Sequence, residues 1–567
     1  MRYDLPPGAS VIVIGAGVAG LATATLLARE GYQVHCIEKL PTAGGRVGTI
    51  DKDGWRFDTG PSWYLMPEVF EHYFELLGTT AAEQLELVRL HPAYSIIQVE
   101  RAHPESQQLE KFSDITGWEQ IAIPADYSQL QQLFEQREPG AGQRLEEYLR
   151  NAEQAYELAK QYFLYTSFRS VRPWLTPTLL RHGAWLVRLL TSSLEAYVQR
   201  YFQDPLLRQI LLYPAVFLAT TPKKAPALYH ILSHTDLAQG VFYPQGGFHG
   251  FVRRLESLAM AAGVEFHFAE EVQEIMTTEA LATGVRTNQG TYLADAIVSC
   301  ADREFTNRIT NWSAKKDANA ANAGVGAAIK ATLHLERRTP ANDAPALMRE
   351  QVAKYWQQRH PGISAVVVFL GIDGALPQLP HHTLILSKDW DADFAAVWEL
   401  ENPQGDQASS SVYVCRTSAT DPTAAPEGKE NLFILVPTAS EPSIGHGSLY
   451  GVQSPEIAKI ASAAIKQLST VLETDLTARI EVQETIGPAD FVQRYHAWQG
   501  SALGLAHTLR QSAWMRGKQY DPRIHNLLYA GATSTPGVGL PMCLISAENI
   551  VKIFRGDTST QRLPADS

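Results

Sequence analysis

Residues 11–38 restrict what this chain can fold into more than any other stretch. Val11-Ile-Val-Ile14 is a short apolar run, Gly15-Ala-Gly17-Val-Ala-Gly20 follows at once, and residues 21–30 are rich in helix formers. Residues 33–38 then read as a second strand. Strand, glycine turn, helix and strand make a β-α-β unit, and an apolar first strand suits the centre of a parallel sheet. Each glycine has a task. Gly15 permits the tight turn, Gly17 lets backbone approach a pyrophosphate, and Gly20 lets the helix pack closely on the strand. Free N–H groups at the helix N-terminus attract phosphates. Glu38 ends the second strand, where a carboxylate accepts hydrogen bonds from ribose hydroxyls.

A chain of 567 residues exceeds one small core, and domain size suggests roughly three to four units. Hydrophobic residues make up 45% and charged residues 19%, as in a globular protein. With 48 Lys and Arg against 60 Asp and Glu the charge is −12, which argues against nucleic acid as a partner. Cys36, Cys300, Cys415 and Cys543 form no CxxC pair, so reduced thiols in a cytoplasmic protein are expected. Residues 1–8 carry no signal pattern, and no apolar run is long enough to span a bilayer. The expected location is cytoplasmic, with at most one membrane face in contact.

Residues 264–299 read as strand-rich, with a hairpin turn at Thr287-Asn-Gln-Gly290, and residues 527–530 as another strand before a Gly/Pro loop and a helix from about residue 544. Residues 130–235 look helical, and residues 330–495 mix helices with strand-like runs at 365–370, 411–415 and 432–436. Residues 314–326 and 401–410 read as linkers, and the polar tail from Gly556 as disordered.

Thr42-Ala-Gly-Gly-Arg46 narrows the nucleotide. The combination GxGxxG…E…GGR resembles the flavoprotein class that includes amine oxidases and carotenoid desaturases. That resemblance puts Gly44, Gly45 and Arg46 beside the pyrophosphate of FAD, with the guanidinium supplying charge and hydrogen bonds. Further stretches resemble the phytoene desaturase family and reach both ends of the chain. They are Asp53-Gly-Trp-Arg-Phe-Asp-Thr-Gly-Pro-Ser62, Phe242-Tyr-Pro-Gln-Gly-Gly247, His381-His-Thr383 and Cys415-Arg-Thr-Ser-Ala-Thr-Asp-Pro422. Gly504-Leu-Ala-His-Thr-Leu-Arg-Gln-Ser512 and Gly531-Ala-Thr-Ser-Thr-Pro-Gly-Val-Gly-Leu-Pro541 complete the set, the last departing from the family's GAGTHPG.

The resemblance implies an α/β fold. A Rossmann-type FAD domain would be assembled from residues 1–75, 236–303 and 495–560, with a mixed-sheet substrate domain from 76–129 and 304–494. Residues 130–235 would form a helical, membrane-facing insertion, and 561–567 a disordered tail. The backbone of Val272 would meet the adenine, Gly531 and Ala532 the phosphate and ribityl region, and residues from Gly537 to Met542 the flavin ring.

The implied reaction desaturates a carotenoid precursor such as phytoene, with hydride passing to flavin N5 and a quinone or oxygen as final acceptor. A related isomerase or oxidase, or a non-catalytic isoprenoid carrier, would share the fold. The chain has no HExxH and no GxSxG, as such chemistry allows. The pair His230 and His234 lacks a third ligand, and adjacent His381 and His382 should point to opposite faces of a strand, so no metal is expected. The family often has an acid after an aromatic–Arg pair; here Phe168-Arg169 is followed by Ser170. Arg169 and His507 are the candidates for the reacting region. Residues 168–200 hold Arg169, Arg172, Arg181, Arg188 and Arg200 against Glu195, with Trp174 and Trp185, which suits a helix lying on anionic lipid. Residues 210–219 and 365–370 are candidate walls of a polyene tunnel, with Ala215 as a lining position.

Overall fold

The computed structural model describes residues 5–102, 108–312, 344–398 and 407–565. The linker expected at 314–326, and residues 401–406 of the second, lie outside the described residues.

The β-α-β unit forms as its residues require. Strand Ser10–Ile14 pairs in parallel with Gln33–Ile37 on one side and Ala296–Ser299 on the other. Leu527–Tyr529 and Glu265–His267 extend this five-stranded sheet at its two edges, both in parallel. Distant segments therefore build one doubly covered sheet, whose central strand is apolar because both faces are buried. Helix Val18–Arg29 leaves the first strand through Gly15, whose φ of +95° excludes most side chains. It contacts helices Leu540–Phe554 and Phe248–Ala261. A three-stranded antiparallel sheet spans Val272–Thr278, Leu281–Thr287 and Thr291–Leu293, with the expected turn closed by Thr287 N–H donating to Gly290 O.

A seven-stranded mixed sheet forms the second layer. Its order is Ile480–Ile486, Ile363–Asp373, Lys429–Ala439, Val412–Cys415, His382–Ser387, Tyr94–Arg101 and Ile115–Ile123. Only the pairing of His382–Ser387 with Tyr94–Arg101 is parallel. Alternation splits the long strands between two environments. Val366, Val368, Leu370, Leu432 and Ile434 pack with Ile457, Ile460 and Leu468 of helix Pro455–Val471. Ala365, Val367, Phe433 and Leu435 face a cavity on the other side.

Above that face lie helices Ala141–Ala159, Pro177–Thr191 and Pro205–Leu212, connected through residues 160–176 and through the short helix Leu194–Val198. Among the described residues no helix is long and apolar enough to cross a membrane. The C-terminal segment corrects one expectation. Leu563 is buried with its N–H donating to Glu548, and Lys552 Nζ donates to Ser559 O and Gln561 O. The buried ammonium of Lys552 needs those carbonyls, which holds residues 559–563 against the core.

Candidate functional site

One cavity of about 670 Å³ reaches from the first glycine loop across the mixed sheet to the helices above it. Gly15, Gly17, Glu38, Gly44, Gly45, Arg46, Val272, Gly531, Ala532, Gly537 and Met542 all line it. Gly20 does not. A Cβ there would sit 1.8 Å from Gly15 O, so its task is the close helix–strand approach expected of it.

The two glycine loops touch. Gly44 N–H donates to Ala16 O at 2.9 Å, and a Cβ on Gly45 would meet Gly17 Cα at 3.2 Å. Glu38 Oε2 accepts from Ala16 N–H at 2.7 Å and Oε1 from Leu40 N–H at 2.8 Å. Burial pushes the Glu38 carboxyl up, against those two donors and Lys39. Among the described residues Arg46 Nε and Nη2 are buried without a hydrogen-bond partner, while its guanidinium lies 5.7 Å from the Tyr495 ring centre. Buried donors of a cation demand an acceptor. A diphosphate supplies it, and the side-chain-free cradle beside Arg46 admits one. These residues fit FAD.

Several lining residues were not expected from sequence. Asp302 caps helix Arg303–Ile309 just after strand Ala296–Ser299, and its Oδ2 accepts from Trp498 N–H at 3.3 Å. Burial pushes its carboxyl up, and Arg46 pulls it back. An acid ending a strand and opening a helix was the available signal. Arg494, Tyr495 and His496 also line this end. Arg516, fully buried, donates from Nη2 to Ala532 O at 2.8 Å and places a cation behind the lining backbone.

The other limb is apolar. Its floor is a transverse row of Val367, Leu435, Tyr413 and Leu384, in register across four strands. Tyr213, Val216, Phe217, Leu228, Leu232, Leu186 and Leu190 close it from above. Of the expected walls, residues 365–370 contribute Ala365 and Val367, and residues 210–219 contribute Tyr213, Val216, Phe217 and Leu218. Ala215 is buried but absent from the lining, because its turn presents the next residues instead.

His507 and Arg169, paired as candidates, are not brought together. His507 lines the cavity, and a Cβ on Gly537 would lie 2.6 Å from its Nε2. Nδ1 faces Leu218 O at 3.1 Å. A carbonyl only accepts, so Nδ1 carries the proton and Nε2 a lone pair. Burial, with Arg516 nearby, holds this ring well below the usual histidine range. Arg169 instead turns away from the cavity. Its guanidinium lies 6.0 Å from the Tyr520 ring centre, and Nη1 donates to Ile553 O.

His230 is buried with Nδ1 on Ala227 O, and burial pulls it down to about 4. His381 and His382 do not point apart as expected. Their rings are 4.4 Å apart, and with Cys415 their ligand atoms lie within 4.8 Å. His381 precedes the strand, so strand alternation does not govern it. Their Nδ1 atoms pair with Thr420 Oγ1 and the Tyr413 hydroxyl, and Trp63 stacks on His382.

Comparison with known proteins agrees with this geometry. Residues 18–388 match the family described as flavin containing amine oxidoreductase. A carotenoid 3,4-desaturase of Haloarcula japonica is 34% identical over 97% of this chain and 99% of its own. A zeta-carotene-forming phytoene desaturase of Myxococcus xanthus is 30% identical over 96% of this chain and 93% of its own. Cyclohexylamine oxidase from Brevibacterium oxydans shares the fold, with a TM-score of 0.54 at 15% identity over 97% of this chain and 99% of its own. The cofactor is FAD. The chain belongs to the flavin-containing amine oxidoreductase family, with the carotenoid and phytoene desaturases as its relatives.

Proposed function

We propose that the protein desaturates a carotenoid precursor, phytoene or a partly desaturated relative, at the junction of the two limbs of its cavity. The observation that carries this is the continuity of the FAD cradle with a long apolar limb walled by Val367, Leu435, Leu384, Val216 and Phe217. A polyene offers no hydrogen-bonding handle, so apolar walls must set its depth. FAD, when bound, would supply the hydride acceptor. Arg46 and the backbone where Gly17 meets Gly45 would hold its diphosphate, and Glu38 its ribose. The apolar walls exclude water from the reacting carbons.

Loss of hydride leaves the substrate electron-poor and its neighbouring C–H acidic, so a weak base suffices. His507 Nε2, with its tautomer fixed by Leu218 O, accepts that proton. Arg169 has no part in this reading. Substrate arrives from lipid along helix Pro177–Thr191, where Leu186 and Leu190 line the cavity while Leu180 and Val187 are exposed beside Arg181 and Arg188. Cations flanking exposed apolar side chains suit an anionic lipid surface.

The test supplies FAD-loaded protein in liposomes with phytoene or its partly desaturated relatives, and a quinone or oxygen. New conjugated double bonds, read by absorbance and chromatography, are expected. Geometric isomers alone would move the protein to an isomerase role.

A further inference from the structure

We infer that the edge of the flavin-binding sheet carries a divalent transition-metal site made by His35, Glu265 and His267. None of these residues lines the cavity, and the site is independent of the reaction proposed above. His35 lies on strand Gln33–Ile37, and Glu265 and His267 on the parallel edge strand. The register sets His35 opposite Glu265 and Ile37 opposite His267. Glu265 and His267, two apart, share a strand face, and His35 meets them on it.

The spacings are those of metal ligands. His35 Nδ1 is 3.3 Å from His267 Nε2. Glu265 Oε2 is 3.5 Å from His35 Nδ1, and Oε1 is 3.4 Å from His267 Nε2. A tetrahedral ion with ligands at about 2.0–2.1 Å has ligand–ligand edges of about 3.3–3.4 Å. The two ring nitrogens thus stand one such edge apart, and the Glu265 carboxylate turns a different oxygen to each of them, so that one oxygen can take the third corner while the fourth is left to water.

Outer oxygens orient His267. The Tyr292 hydroxyl lies 3.4 Å from His267 Nδ1 and donates to Glu270 Oε2 at 3.1 Å, while that carboxylate oxygen is 3.9 Å from the same ring nitrogen. Metal-bound imidazoles characteristically turn their second nitrogen to such oxygens, which fixes the ring and raises its basicity. The side chains of His35, Glu265 and His267 are 29%, 62% and 17% exposed, so an ion reaches them from solvent. Two imidazoles and one carboxylate select zinc and its neighbours over calcium or magnesium, which prefer oxygen. The cluster of His381, His382 and Cys415 lacks these features: all three are buried, and burial holds the Cys415 thiol up at about 12.

A bound ion would clamp the edge strand to its neighbour beside the cofactor, since Glu38 N–H donates to His267 O at 2.9 Å. The experiment uses untagged, FAD-loaded full chain, equilibrated with zinc, desalted and assayed by elemental mass spectrometry. His35→Gln, His267→Gln and the more exposed Glu265→Ala are compared with wild type, their folding checked by flavin content. Each variant is expected to hold one zinc equivalent fewer and to lose the zinc-dependent rise in melting temperature. Flavin-replete variants that bind as much zinc as wild type, or a wild type that binds none, would overturn the site.

Discussion

Arg46 turns buried Nε and Nη2 atoms towards the cradle, and among the described residues no acceptor meets either. Charge-assisted bonds to a diphosphate are therefore the main loss in Arg46→Met, which should purify folded but with much less flavin at equal protein. Gly17→Val acts differently. Its Cβ would point towards Gly44 O at 3.9 Å and Gly45 Cα at 4.0 Å, and the valine methyl groups would then fill the space between the two loops. Flavin should be absent, and a Gly17→Val protein with its full yellow colour would contradict the assignment of that loop. Asp236 tests the electrostatics of the helical wall. Burial lifts its carboxyl from 3.8 to about 7, although Tyr94 and Tyr213 donate to Oδ2. The folded protein keeps a proton that the unfolded chain releases, so this stabilising contribution is full below pH 3.8 and lost as pH rises towards about 7. In Asp236→Asn the melting temperature should fall less between pH 4 and pH 8 than in wild type. An unchanged pH slope would show that Asp236 is not the group responsible. Glu38, Arg46 and the glycines were legible because strand, turn and helix place them locally. Arg169 was not. Phe168 takes a φ of +54° and itself lines the cavity, which sends its neighbour outward, and no local pattern marks that reversal.

At the scale of elements, strand Ile363–Asp373 serves two cores at once. Ile434→Ala, opposite Val368 on the paired strand Lys429–Ala439 and on the face towards helix Pro455–Val471, should destabilise by about 2–5 kcal/mol in denaturant unfolding and leave the product profile unchanged. Ala365→Phe, on the cavity face, should keep FAD but shift products towards fewer double bonds, because added bulk shortens the reach of a polyene past the flavin. The strand was readable as an apolar run. Which face meets substrate was not, since both faces are apolar and only the partners differ. The same holds for residues 210–219, where a turn after helix Pro205–Leu212 hides Ala215 and presents Val216 and Phe217. Helix Pro177–Thr191 carries the membrane proposal. Each basic side chain near an anionic surface contributes about 1 kcal/mol. Removing two should weaken liposome binding roughly thirtyfold, and Arg181→Glu with Arg188→Glu should weaken it further. Unchanged sedimentation with anionic vesicles would leave the helix as a plain cavity wall.

In the whole molecule, the flavin sheet draws strands from both ends and the middle of the chain, and the substrate limb opens directly from it. Motifs spread along the sequence could signal this assembly because each glycine or acidic group has a backbone task where it stands. Contacts made only by assembly left no such trace. Asp302 meets Trp498, Arg516 meets Ala532, and His35 meets His267 through parallel pairing of distant strands. On the proposed function, oxidation of a polyene and reduction of the bound flavin are one event in this continuous cavity. Anaerobic mixing of FAD-loaded protein with phytoene or a partly desaturated relative in liposomes, followed by absorbance, tests it most directly. The expected result is loss of the oxidised flavin band together with longer-wavelength polyene bands, one new double bond per flavin. A flavin band that persists in fully loaded, folded protein against every such polyene would contradict it.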